Sequence, residues 1–183
     1  FDFSLKICYR LQGAELTCSY EVYNPADEPL LFSIGAHPAF KVPLKDNSSY
    51  EQHYLQFNLD HEITYHKITD NLIDTKTDCL KLVDGKLPLK HSLFVDDALV
   101  FKSLRSNQID ILNEVNSHGI RFTFKDFPYF GIWSAPNADF VCLEPWCGIA
   151  DGVTHDGDFS KKEGIMVLEA NTQWRKEWHV LCF

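Results

Sequence analysis

The 183-residue chain has few basic residues and no long apolar run. Lysine and arginine total 17 against 26 aspartates and glutamates, which gives a formal net charge of −9. Because the phosphates of nucleic acids attract a basic surface, this charge argues against a nucleic-acid partner, and more weakly against an anionic membrane surface. No stretch approaches the roughly 18 apolar residues of a membrane-spanning helix. We therefore expect neither a nucleic acid nor a membrane as partner.

The sequence also lacks the short motifs of several enzyme and metal-site classes. None of the six cysteines forms a C-x-x-C pair, and there is no H-x-H, H-E-x-x-H, G-x-S-x-G or Walker motif. We accordingly expect no metal and no cofactor. Most of the cysteines lie in apolar, strand-like contexts, where a thiol behaves as a small hydrophobe. This pattern favours reduced, buried cysteines in a cytoplasmic protein.

Helical periodicity is missing as well, and the apolar residues recur with a period of two. Hydrophobic residues make up 45% of the chain, enough for a sizeable core. In the first strand-like run, alternate residues from Phe1 to Tyr9 share an apolar face. Short runs of this kind, separated by turn signals, are typical of sandwiches and barrels. We predict one all-β domain over residues 1–183, a large antiparallel β-sandwich, with helix limited to short turns within 87–97 and 156–163.

Turn and loop signals divide the predicted strands. Gly13 and Asn24-Pro25 separate the first three runs, and the "DGK" at 84–86 predicts a tight turn. Residues 41–53 predict a long loop, and no strand is predicted in the polar segment 60–91. Because the chain opens on Phe1 in what reads as a strand, we expect further sequence upstream and incomplete pairing at the N-terminal edge.

His37 is the first candidate for chemistry. It lies in "SIGAHPAF", after two small residues and before Pro38, which favours extended backbone at His37 and interrupts regular pairing. Histidine is a natural general acid or base because it changes charge between about pH 5 and 8. The alternative is a loop histidine with an ordinary structural role.

Glu144 and two tryptophans form the second group of candidates. Glu144 follows four apolar residues in "FVCLEPW", so partial desolvation is expected to raise its proton affinity. Trp146 is two residues further on, and Trp133 lies in "GIWS"; an indole face can stack on the apolar face of a sugar ring. The alternatives are a salt-bridged carboxylate at a strand end and ordinary core packing of both indoles.

Adjacent carboxylates occur once in an apolar context, at Asp96 and Asp97 in "LFVDDALVF". Because side chains alternate along a strand, only one of the two is expected to point inward. Such a pair can orient hydroxyl groups, cap a turn or bind a hard cation. No further carboxylates occur nearby, so the hypothesis of a calcium site is weak.

Taken together, these motifs resemble the aldose 1-epimerase (galactose mutarotase) superfamily. The chain is most similar to its short bacterial aldose 1-epimerase-like branch, through "GAHPAF", "DDALVF", "FPYFGIWS" and "EPWCGIAD" in that order. The resemblance implies a large antiparallel β-sandwich, of which this chain corresponds to the C-terminal two thirds. It also implies interconversion of the α and β anomers of a hexose without a cofactor.

The resemblance assigns roles residue by residue. His37 matches the general acid and Glu144 the general base, while Asp97 best matches the aspartate that orients sugar hydroxyls, with Asp96 as the alternative. Trp146 or Trp133 would form the floor of the sugar pocket. A further histidine and an arginine usual in the family would precede Phe1.

Two other functions remain as alternatives. One is a catalytically weak or inactive carbohydrate-binding protein of the same fold, and the other is a strand-rich interaction domain in which His37 and Glu144 are structural. The expected partner is a small-molecule hexose or hexose derivative, and a homo-oligomer is possible on this reading.

Overall fold

The computed structural model describes all of residues 1–183, and nearly all of its regular structure is strand. Strands take up 51% of the residues and helix 5%, which confirms the all-β prediction. The helical turns span Tyr50–Gln52, His91–Phe94 and Phe159–Lys161, and the last two fall within the segments where short helices were predicted. None of these turns has the length or apolar character that a membrane-spanning helix requires.

The first sheet contains seven antiparallel strands. In spatial order they are β1 (Ser4–Gln12), β2 (Glu15–Tyr23), β16 (Gln173–Cys182), β12 (Ile120–Thr123), β11 (Gln108–Asn113), β6 (His53–Phe57) and β9 (Lys86–Pro88). The β1–β2 hairpin turns at Gly13, whose φ of +60° is easily adopted by glycine. The last strand of the chain therefore lies inside this sheet and joins the first hairpin to the rest.

The second sheet carries the candidate residues. Its order is β4 (Ile34–Gly35), β14 (Phe140–Cys147), β13 (Tyr129–Trp133), β10 (Leu99–Phe101), β7 (Glu62–Thr69) and β8 (Leu72–Lys81), and β5 (Ala39–Lys41) also pairs with β14. A small separate sheet pairs β3 (Leu30–Phe32) with β15 (Met166–Leu168).

The two large sheets share one apolar core. Phe122 of the first sheet packs against Phe130 and Phe40 of the second, with ring centroids 6.2 and 5.8 Å apart. All but Phe40 are fully buried, and burying one such ring contributes about 1.5–3 kcal/mol. Trp178 and Tyr20 also lie in this core. The Trp178 indole N–H donates to the Tyr20 hydroxyl at 3.0 Å, so the polar groups of these two rings have a partner.

The polar segment 60–91 is a correction to the sequence prediction, because it contains the long hairpin β7–β8 and strand β9. Most of β8 is exposed, so its residues are polar on both faces and give no period-two signal. The turn at 84–86 is confirmed. Val83 bridges to Lys86, and Asp84 and Gly85 both have positive φ, as in the turns that match strand twist.

All six cysteines are free thiols, and the prediction that they are buried holds for half of them. Cys18, Cys142 and Cys147 are buried, whereas the thiols at positions 8, 79 and 182 are exposed. The exposed three lie on β1, on β8 and at the end of β16, where the sheets present strands to solvent.

Strand β1 forms an unprotected edge of the first sheet. It pairs with β2 along its whole length and has no partner on its other side. Its alternating apolar side chains are also exposed, from 45% at Leu5 to 74% at Leu11. An exposed, long, apolar edge strand favours pairing with another chain.

We therefore expect concentration-dependent self-association that Ile7→Lys reduces, because a charge on an edge strand opposes pairing. Ile7 is 49% exposed, so the substitution should change the free energy of unfolding by no more than about 0.5 kcal/mol. Sedimentation velocity over a range of concentrations measures the effect. Val83→Lys, at an exposed turn position, is the control; equal effects of the two variants would contradict a role for the edge.

Candidate active site

Strand β14 holds Glu144 in the second sheet, one strand in from the edge. It is paired on one side with β13 and on the other with β4 and β5. Because side chains alternate along a strand, Leu143 faces the core, while Cys142, Glu144 and Trp146 share the opposite face. Glu144 is nevertheless buried, with only 8% of its side chain exposed.

His37 lies in the short gap between β4 and β5, opposite Glu144. The gap stays close to β14, because the Ala36 N–H donates to the Pro145 carbonyl at 3.1 Å and the Leu143 N–H donates to the Pro38 carbonyl at 3.2 Å. His37 Nε2 is 3.4 Å from Glu144 Oε1, and 61% of the histidine side chain is exposed. The structure thus brings together the two residues that the sequence singled out as acid and base.

The buried position of Glu144 changes its acidity. Burial raises the pKa of its carboxyl above the ordinary value of 4.5, while the nearby charge of His37 and a hydrogen bond from the Trp146 indole act in the opposite direction. A carboxylate with a raised pKa is a better proton acceptor near neutral pH. The geometry and electrostatics therefore suit proton transfer by Glu144.

The Trp146 indole packs against two glycines. A Cβ on Gly35 or on Gly131 would come within 2.5 Å of its ring atoms, so each neighbouring strand leaves the space that the indole occupies. Trp133 has a different position, with its ring meeting the His37 ring edge-on at 5.8 Å and 84°. Trp146 lines the depression described below, whereas Trp133 supports the imidazole.

A depression of about 430 Å³ opens beside the His37–Glu144 pair. This volume falls in the range of small-molecule sites, about 300–1,000 Å³. Half of its lining is apolar, and His37 and Glu144 are its ionisable groups; the lining residues are Ser33, Ile34, Gly35, Ala36, His37, Glu144, Trp146, Gly148, Ile149 and Ala150. Gly148 has φ +97° and packs so tightly on Ser33 that a Cβ would lie 2.3 Å from its hydroxyl oxygen.

Asp96 and Asp97 lie in another place. They line a smaller depression with Tyr65 and Lys67, and none of its lining residues is shared with the depression at His37. Asp97 has φ +93°, and its Oδ1 accepts the Ala98 N–H at 2.6 Å. Both aspartates lie in the turn between the helical turn His91–Phe94 and β10, so they are not on a strand and the alternation expected of them does not apply.

Sequence reasoning did not single out Cys142 or residues 148–150. Ligand atoms of His37, Cys142 and Glu144 all lie within 4.8 Å of one another. Counting back two residues from Glu144 along a strand would have placed the thiol on the same face. The place of residues 148–150 in the lining of the depression, by contrast, depends on the path of the chain after β14. No local sequence pattern predicts that path.

Comparisons with known proteins bear on the family and the fold of the chain. The family profile described as Aldose 1-epimerase matches residues 1–180. Protein LacX of Lactococcus lactis subsp. lactis, in its plasmid and chromosomal forms, is 32% identical over 155 residues, which cover 82% of this chain and 52% of LacX. The chain therefore spans about half the length of the LacX proteins that it matches.

Two solved structures extend the comparison to the fold. A galactose mutarotase related enzyme from Lactobacillus acidophilus superposes with a TM-score of 0.91 at 28% identity, covering 99% of this chain and 61% of that protein. A galactose mutarotase-like protein from Lactobacillus casei gives a TM-score of 0.84 at 24% identity, covering 100% of this chain and 64% of the other. The second likeness bears on the fold alone.

The raised pKa of Glu144 leads to a prediction about stability. The folded state binds the Glu144 proton more tightly than the unfolded chain does. The stability that this bound proton contributes is therefore fully present below pH 4.5 and is lost as pH rises through the folded-state pKa of Glu144. Glu144→Gln removes this loss, so the free energy of unfolding of the variant, relative to that of the unsubstituted protein, should increase as the pH is raised above 4.5. Urea denaturation at a series of pH values measures the difference. Glu114→Gln, at an exposed carboxylate, should show no such trend.

Proposed function

Because the chain belongs to the aldose 1-epimerase family, we propose that it interconverts the α and β anomers of a hexose by acid–base ring opening. The observation that carries the proposal is the 3.4 Å approach of His37 Nε2 to a buried Glu144 carboxylate at the edge of a sugar-sized depression. One proton donor and one proton acceptor beside the same cavity are what this reaction requires.

Glu144 is proposed as the base at the anomeric hydroxyl. It removes the proton from the hydroxyl oxygen on C1 as that C–O bond becomes a carbonyl and the bond between C1 and the ring oxygen breaks. Burial favours this role, since desolvation strengthens the carboxylate as a proton acceptor. The Trp146 indole N–H would keep the carboxylate oriented while its charge changes.

His37 is proposed as the acid at the ring oxygen. Its proton goes to the ring oxygen as the C1–O bond breaks, so the open-chain aldehyde carries a new hydroxyl. Rotation about C1–C2 followed by the reverse transfers closes the ring on the other face of the aldehyde. Both residues then regain their starting protonation, and no carbon is oxidised or reduced, so proton transfer is sufficient chemistry.

The distance between the two groups fits this division of roles. At 3.4 Å, the pair is longer than a charge-assisted hydrogen bond of about 2.7–2.9 Å. Neither group is therefore fully engaged by the other, and such contacts often tighten only when substrate binds. The exposed side of His37 leaves room for a sugar to approach both atoms.

Trp146 is the better candidate for the stacking surface, because it lines the depression and lies between two glycines. A sugar ring presents an apolar face of C–H groups that packs on an indole. Trp133 contacts the His37 ring, so we propose that it also positions the acid. Its direct contact with sugar and the roles of Asp97 or Asp96 remain predictions.

The acid–base pair is tested by Glu144→Gln and His37→Asn. Each should lower the rate of mutarotation by about 10²–10⁴-fold, the usual worth of one acid–base group, because the substituted amide cannot transfer the proton. Together they should cost less than the product of the single effects, since groups that act in one step are not additive. Polarimetry on freshly dissolved α-glucose or α-galactose gives the rates.

Two controls define what would contradict this assignment. His61→Asn and Glu114→Gln, both at exposed positions outside the depression, should leave the rate unchanged. Titration of tryptophan fluorescence with hexose should show that sugar binding survives in Glu144→Gln. Normal mutarotation by Glu144→Gln would return Glu144 to a structural role. Binding without measurable turnover in the unsubstituted protein would favour the catalytically weak carbohydrate-binding alternative.

The choice between the two aspartates is tested by affinity. Asp97→Asn should weaken sugar binding by about 10- to 100-fold, because a hydrogen bond to a charged group is worth about 1.5–3 kcal/mol. Asn keeps the shape of the side chain and tolerates the positive φ at this position. Asp96→Asn is the matched control and should have the smaller effect in the same fluorescence titration; the reverse order would identify Asp96 as the sugar ligand.

A further inference from the structure

Cys142 is a buried thiol at the candidate site that the proposed reaction does not use. It lies on the same face of β14 as Glu144 and is 1% exposed. The His37 ring nitrogen, the Cys142 sulfur and a Glu144 oxygen all lie within 4.8 Å of one another. Nitrogen, sulfur and carboxylate oxygen are together a donor set that suits zinc.

The spacing of these donors can be compared with a tetrahedral site. With Zn–N and Zn–O bonds of about 2.0–2.1 Å, two ligands of a tetrahedral ion lie about 3.3–3.4 Å apart. His37 Nε2 and Glu144 Oε1 are separated by 3.4 Å, so this edge of the site is already formed. The longer Zn–S bond of about 2.3 Å extends the edges that include the sulfur. The Cys142 sulfur lies within 4.8 Å of both other donor atoms, so metal binding requires a small shift of its side chain.

We propose that His37, Cys142 and Glu144 bind a thiophilic divalent cation, Zn²⁺ being the best match, and that the bound ion blocks the acid–base pair. The binding rests on geometry and donor chemistry alone, whereas the blocking rests on the proposed function. A thiol and an imidazole among three ligands disfavour Mg²⁺ and Ca²⁺, which require oxygen donors.

The protons balance without a redox step. As Zn²⁺ binds, the Cys142 S–H bond and the His37 Nε2–H bond break, Zn–S and Zn–N bonds form, and both protons leave to solvent. The ion then occupies the nitrogen lone pair of His37 and an oxygen of Glu144, so neither can exchange a proton with a sugar. Three protein ligands leave the fourth position of a tetrahedral ion for water.

Cobalt and zinc titrations test the binding. The assay uses a background in which the three exposed thiols, Cys8, Cys79 and Cys182, are replaced by serine. Co²⁺ should give a thiolate-to-metal absorption band at one equivalent, and Zn²⁺ should displace it. Cys142→Ser should lose the band and weaken Zn²⁺ binding at least about 100-fold, since loss of even an outer-shell partner costs about 10–100-fold.

Cys147→Ser is the matched control. Cys147 is buried on the same strand, but it lies on the other face, away from Glu144. It should keep the band and the affinity. Unchanged Zn²⁺ affinity in Cys142→Ser, or loss of the band in Cys147→Ser, would overturn the site. Zinc-edge X-ray absorption on the background protein does not depend on whether the variants fold. It should show one sulfur ligand at about 2.3 Å, with nitrogen or oxygen as the remaining ligands. A spectrum without a sulfur ligand would overturn the proposal.

Inhibition is measured separately, so that failure of the two proposals can be distinguished. If the protein mutarotates hexoses, Zn²⁺ should inhibit it, chelation should restore the rate, and Cys142→Ser should resist inhibition. If it does not mutarotate, the cobalt and zinc titrations still decide the binding. Active protein that binds Zn²⁺ through Cys142 but is not inhibited would overturn the claim that the ion blocks the pair.

Discussion

The pairing of β14 on both sides is the constraint on which the candidate site depends. A strand with neighbours on both edges is fixed in register, so the side chains of its outer face have defined positions. A one-residue slip would turn Glu144 into the core and Leu143 onto the surface. The backbone contacts from Ala36 and Pro38 extend this registration to the gap in which His37 lies. The 3.4 Å between imidazole and carboxylate therefore follows from the sheet rather than from the two side chains alone.

The fold was largely predictable because most of its strands bury one face. Period-two patterning predicted β1 and β2, and the glycine and Asp-Gly turns marked two hairpins correctly. The pattern failed where burial does not discriminate between faces, in the β7–β8 hairpin, whose outer strand is mostly exposed. A period-two pattern in the sequence depends on a difference in burial between the two faces of a strand, and in an edge strand that is mostly exposed this difference is small.

The site was predictable only in part, for a different reason. His37 and Glu144 stood out because each departs from its local pattern, a histidine before a proline and a carboxylate after an apolar run. Their separation, the clearance at Gly35 and Gly131 for one indole, and the thiol beside the pair are properties of three paired strands. No single segment encodes them, since each requires the register between strands that are distant in sequence.

Burial at this site has a cost, and it also creates reactivity. A carboxylate held away from water is destabilising unless it is compensated, and here the compensation is incomplete, coming from one exposed imidazole and one indole N–H. Full compensation, such as a buried guanidinium partner, would lower the proton affinity of Glu144 and remove its value as a base. The same site holds nitrogen, sulfur and oxygen donor atoms within 4.8 Å of one another. A sugar and a thiophilic cation would then compete for the same electron pairs, and the chemistry of the site would depend on which of the two is present.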